Sequence, residues 1–161
     1  MHTSPIEPVH EAPGRLKTYF PIVPIEQVPV AESLAGAIAD RPMVLVVEGD
    51  AAVADTLVDI LNHSGYAAIA VYDGIDAVAT ALLVPPDLVI ADATLPDRSG
   101  VEVAAELKSK LPACKIVLLG ADRAASDAGA AARLAELAFA VVEKPVHPAE
   151  LLAQVSASLK S

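Results

Sequence analysis

The sequence predicts a doubly wound α/β fold over residues 43–161, a five-stranded parallel sheet flanked by helices. Three observations carry that expectation. Short aliphatic and β-branched runs recur from Met43 onward, apolar throughout rather than alternating, as suits strands covered on both faces. Segments with apolar residues at helical spacing separate these runs. Glycine and proline punctuate the joins.

Met43–Val47 is the first strand. Val53, Leu57, Ile60 and Leu61 then repeat at helical spacing, with Asp50 placed to cap the helix and Gly65 where a left-handed terminal residue belongs. Ala67–Val71 is a weaker second strand. Ile75, Val78, Ala79, Leu82 and Leu83 form the stripe of a second helix, which Pro85-Pro86 stops. Asp87–Ala91 is the third strand, with Asp92 just past it. Val103, Leu107 and Leu111 mark a third helix with Ser99 as its cap, and Asp97 reads as turn chemistry between Pro96 and Gly100. Lys115–Leu119 is the fourth strand, Ala-rich Asp122–Leu137 a fourth helix and Phe139–Val142 the fifth strand. Leu151, Leu152, Val155 and Leu159 give the last helix, whose first turn accommodates Pro148.

Residues 1–42 read differently. They hold seven of the thirteen prolines, which forbids a long helix or a central strand there. Tyr19–Val30 reads as extended or polyproline-like, yet is too apolar for an ordinary solvated linker. A mobile leader fits, and so does an arm that docks on its own domain, a twin or a partner.

The 161 residues are 54% apolar and carry 11 basic and 21 acidic side chains, a net charge of -10. One domain plus an appendage of this length can bury a sizeable core. The charge argues against a nucleic-acid surface. A single cysteine, Cys114, excludes an internal disulfide framework and a cysteine-rich zinc site, and reads as a small, partly buried hydrophobe. No apolar run approaches the ~18 residues of a membrane span, and the N-terminus lacks a secretory pattern. The expectation is a soluble, cytoplasmic protein that binds neither nucleic acid nor membrane.

Ligands of such sheets bind beyond the carboxyl ends of the strands. There the sequence offers Glu48-Gly49-Asp50, Asp92, Gly120-Ala121 and Glu143-Lys144-Pro145. Carboxylates brought together repel unless a lysine or a hard cation compensates, and Mg²⁺ suits oxygen donors. Asp92 is the best-placed nucleophile, able to attack a phosphorus centre in line and form an acyl phosphate, with Lys144 offering positive charge to the phosphoryl oxygens. The phosphate cradles GxGxxG and GxxxxGK followed by Ser or Thr are both missing, and Thr94 stands where an aspartate-nucleophile phosphatase wants a second acid. An enzyme is therefore not expected. His63 reads as a helix-dipole partner and His147 as part of the loop before the last helix.

From about Met43 to Leu159 the chain resembles the receiver domain of two-component response regulators, a flavodoxin-like fold. The matching text is Val44-Leu-Val-Val-Glu48, then Asp87-Leu-Val-Ile-Ala-Asp92-Ala-Thr-Leu-Pro96 with Gly100, then Glu143-Lys144-Pro145 ahead of Pro148-Ala-Glu-Leu-Leu152. The resemblance implies that Asp92 is the phosphoacceptor and a metal ligand, and that Glu48 belongs to the metal site, where Asp50 is a further candidate. It implies that Lys144 contacts the phosphoryl group and precedes a cis bond to Pro145, with Mg²⁺ as cofactor. It implies a histidine kinase or histidine phosphotransfer protein as donor and a downstream protein target, met through the fourth helix, the fourth and fifth strands and the fifth helix; a homodimer is left open.

Departures from the family pattern are equally specific. Gly49 stands where a second acid usually ligates the ion, which weakens Mg²⁺ binding. Gly120 replaces the hydroxyl residue that turns toward the phosphoryl group, and Val141 the aromatic of the switch. Two functions stay open. One is a stand-alone receiver phosphorylated on Asp92 that signals through protein contacts, since no output domain follows the last helix before Ser161. The other is a pseudo-receiver that binds partners without phosphate.

Overall fold

The computed structural model describes residues 40–120, 128–137 and 139–161. The Pro-rich leader expected over residues 1–42 therefore lies, up to residue 39, outside the described residues, as does the start of the helix expected from Asp122. Among the described residues five strands and five helices alternate: β1 (Met43–Val47), α1 (Ala51–His63), β2 (Ala67–Val71), α2 (Gly74–Leu83), β3 (Leu88–Asp92), α3 (Gly100–Lys110), β4 (Lys115–Leu119), α4 (Ala128–Leu137), β5 (Ala140–Val142) and α5 (Pro148–Lys160). All strands are parallel, in the order β2-β1-β3-β4-β5.

Parallel pairing explains why the strand sequences are apolar throughout. Successive side chains point to opposite faces, and both faces are covered. Leu45, Val47, Val89, Ala91, Ile116 and Leu118 pack with α2 and α3 on one side. Val44, Val46, Leu88, Ile90, Val117 and Leu119 pack with α1 and α5 on the other. Every residue of β3, the central strand, is buried, including Asp92.

The third strand runs one residue later than the apolar text suggests. Asp87 precedes it, its carboxylate accepting the Met43 N–H at 2.7 Å, while Asp92 pairs with Leu119. The fifth strand begins at Ala140 rather than Phe139. The expected caps are in place. Asp50 accepts the Ala52 and Val53 N–H groups at 3.0 and 3.3 Å, and Ser99 accepts that of Val101 at 3.1 Å. Gly65 closes α1 at φ 99°.

The helix stripes need correction in α1 and α2. In α1 Leu57 and Leu61 are buried as expected, but Val53 is exposed and Ala54 is the buried residue of the first turn. In α2 the buried side is Gly74, Ala77 and Ala81, with Val78 partly covered; Ile75, Leu82 and Leu83 face outward. Small residues let α2 lie close to the sheet, and the larger members of the expected stripe are left on the opposite side. α3 follows the expectation, burying Val103 and Leu107 and half-burying Leu111.

Candidate functional site

Three side chains from three strand ends meet at the carboxyl edge of the sheet. Glu48 follows β1, Asp92 ends β3 and Lys144 follows β5. The Lys144 ammonium donates to Glu48 Oε1 at 3.1 Å and forms a close ion pair with Asp92 Oδ2. Both carboxylates are buried, Glu48 at 4% and Asp92 at 7% exposure, whereas Lys144 reaches them from a partly open position. One cation thus bridges two acids that would otherwise repel each other in a poorly solvated place.

Backbone donors fix the remaining oxygens. The Thr94 N–H donates to Asp92 Oδ1 at 2.9 Å, and the Asp50 N–H to Glu48 Oε2 at 3.1 Å. Burial pushes the Glu48 carboxyl above its ordinary range and the neighbouring Asp92 adds to that, against the pull of the Asp50 N–H and the Lys144 ammonium. Burial pulls on Lys144 in the opposite sense, but its bonds to Asp92 and Glu48 prevail and hold the ammonium above its ordinary value. The Lys144–Pro145 peptide is cis, as the family resemblance implies.

The loop from β3 to α3 is tightly built. Thr94 and Ser99 form an isolated antiparallel bridge, and the Gly100 N–H donates to the Ala93 carbonyl at 2.8 Å. Gly100 has no substitute here, because a Cβ would sit 1.8 Å from the Asp92 carbonyl oxygen. Asp97 does more than shape its own turn. Its carboxylate spans to the start of α2 and accepts the Gly74 and Ile75 N–H groups at 2.8 and 2.9 Å, which holds its pKa below the ordinary value. Local sequence carries no signal for that contact.

Of the remaining candidates, Asp50 spends Oδ1 on the first turn of α1. The position of Gly49 is closed: a Cβ would meet Pro96 Cδ at 2.9 Å. Gly120 takes φ 69°, and a Cβ there would come within 3.3 Å of the Lys144 stem. Val141 is exposed on β5. His63 Nδ1 lies 2.8 Å from the Asp59 carbonyl in the last turn of α1. His147 precedes α5 without a side-chain capping bond, and Cys114 is buried, its thiol pushed up to about 11 by burial. A groove of about 480 Å³ opens beside Lys144, lined by Val53, Thr56, Ile60 and Val146 among others.

Glu48 and Asp92 offer hard oxygen donors, and Mg²⁺ is commonly held by one or two carboxylates plus phosphate oxygens and water. Among the described residues no group of three or more His, Cys, Asp or Glu is placed to hold a metal ion. Among the same residues no helix is long and apolar enough to cross a membrane.

Residues 44–156 match the family model of the response regulator receiver domain. The chain belongs to that family. Solved structures agree on the fold. A CheY-like response regulator receiver domain protein from Methanospirillum hungatei JF-1 superposes with a TM-score of 0.68 at 23% identity, covering 75% of this chain and 95% of that one. The signal receiver domain of a signal transduction histidine kinase from Syntrophus aciditrophicus gives 0.65 at 29% identity, covering 74% and 90%. That of a putative Luxo repressor protein from Vibrio parahaemolyticus gives 0.64 at 26% identity, covering 74% and 91%. Receiver domains serve phosphorelay signalling, generally bind Mg²⁺ at an acidic pocket and typically meet histidine kinases or phosphotransfer proteins.

Proposed function

We propose that the chain accepts a phosphoryl group on Asp92 from a histidine kinase or histidine phosphotransfer protein, and signals onward through protein contacts rather than by catalysing a turnover of its own. The observation that carries this reading is the Asp92 carboxylate, ending the central strand and paired with the Lys144 ammonium. In the reaction an Asp92 oxygen forms a bond to phosphorus as the phosphorus–nitrogen bond of the donor breaks, its electron pair going to the imidazole nitrogen. Lys144 transfers its contact from the carboxylate to the incoming phosphoryl oxygens. Glu48 and Asp92 would hold Mg²⁺, which supplies charge neutralisation at those oxygens when bound.

The test is intact-mass spectrometry after incubation with acetyl phosphate and Mg²⁺. The expected result is one added phosphoryl mass on the wild type and none on Asp92→Asn. An unmodified wild type at every Mg²⁺ concentration overturns the reading.

The closed position of Gly49 and the left-handed backbone of Gly120 favour a second reading, a phosphate-independent interaction module. Under the first reading a phosphorylation response proceeds without an aromatic flip, because Val141 has no ring.

A further inference from the structure

Charge and apolar exposure coincide in one part of the domain. Six carboxylates and no lysine or arginine stand in residues 43–86, the segment that forms β1, α1, β2 and α2. Every large apolar side chain left exposed among the described residues also falls in that segment, Val141 excepted. On α2, Ile75, Ala79 and Leu82 follow one another at i, i+4 and i+7 along the outer side, with Leu83 beside them. Ile75 is 67% and Leu83 82% exposed.

Further exposed side chains stand on and just after the edge strand β2. Ile69 lies on edge strand β2, in register with Leu45, whose side chain packs among Ala77 and Ala81 of α2. Register partners in parallel strands face the same way, so Ile69 is on the side of the sheet that α2 covers. Tyr72 follows β2, half-open, its hydroxyl donating to Asp55 Oδ1 at 3.0 Å. Asp73 and Asp76 stand at the start of α2. The flanking arginines are committed: Arg41 donates to the Asn62 and Tyr66 carbonyls, and Arg98 pairs with Glu106 at 3.0 Å.

We propose that the outer face of α2, together with Ile69 and Tyr72, docks a protein segment that combines apolar anchor residues with lysine or arginine. Charge selects this occupant. A second copy would set the same carboxylates against each other, whereas a cationic segment meets Asp55, Asp73 and Asp76 with complementary sign. The apolar residues supply contact area, and the acids supply orientation and speed of encounter. This docking does not depend on phosphorylation of Asp92.

The experiment titrates the full-length, ¹⁵N-labelled chain with three designed peptides: an amphipathic Leu/Lys helix, a Leu/Glu helix of the same pattern, and a Ser/Lys peptide of the same charge. The expected result is binding of the Leu/Lys helix alone, with shifts centred on Ile69, Tyr72 and residues 75–83. Ile75→Ser/Leu82→Ser should weaken it about tenfold, and Asp55→Asn/Asp76→Asn should remove most of its salt dependence. Circular dichroism checks that these surface variants stay folded, and Leu83→Ser serves as a third apolar variant. Equal binding of the Ser/Lys or Leu/Glu peptide, shifts centred elsewhere, or unchanged affinity in the apolar variants overturns the proposal. So does a dimer in sedimentation equilibrium that Ile75→Ser/Leu82→Ser dissolves, since the occupant would then be a second copy.

Discussion

α2 and α3 lie side by side on the same face of the sheet, but they use their aliphatic residues in opposite ways. α3 turns Val103 and Leu107 into the core and keeps Glu106 and Lys110 outside, paired at 2.9 Å. α2 turns Gly74, Ala77 and Ala81 inward and leaves Ile75, Leu82 and Leu83 outside. Helical spacing announces a helix in both. It gives the facing side only where one stripe is apolar and the opposite one polar. In α2 both stripes are apolar, and close approach to the sheet selects the smaller one.

The comparison sharpens most at Leu107. Leu107→Ala should cost about 2–5 kcal/mol in urea unfolding, through lost burial and the cavity left behind. On the inner side of α2 the error is excess volume rather than loss: Ala81→Leu should cost about 1–3 kcal/mol by overpacking against the sheet. Asp97→Asn, which weakens the tie between the β3–α3 loop and the start of α2, should cost less, with a pH signature. The Gly74 and Ile75 N–H groups hold the Asp97 carboxyl below its ordinary 3.8, so its contribution is full above that value. As pH falls through the lower folded-state value that contribution is lost, and the wild-type and variant stability curves should converge. Leu82→Ala should move stability by no more than about 0.5 kcal/mol. A Leu82→Ala loss as large as that of Leu107→Ala would break the contrast between the two helices.

These residues also show what the linear text carries. The strands were legible because a run apolar on both faces has few other uses, and the caps at Asp50 and Ser99 because their hydrogen bonds stay within three residues. The convergence of Glu48, Asp92 and Lys144 followed from strand order, since parallel connections bring every carboxyl end to one edge. What escaped was non-local or ambiguous. The Asp97 carboxylate meets the start of α2 across 22 and 23 positions, a contact no local pattern encodes. The outward turn of Ile75 and Leu82 depends on how near the helix lies to the sheet.

Gly49 and Gly120 set the terms on which the acidic site could be rebuilt. Aspartate at 49 must first displace the Pro96 ring, and threonine at 120 must hold a branched side chain at φ 69° against the Lys144 stem. Each repair made alone brings strain, and neither supplies the group restored by the other. A fuller acidic site reached through these two positions therefore carries a conformational cost at each step, which the Pro96 ring and the backbone after β4 must absorb.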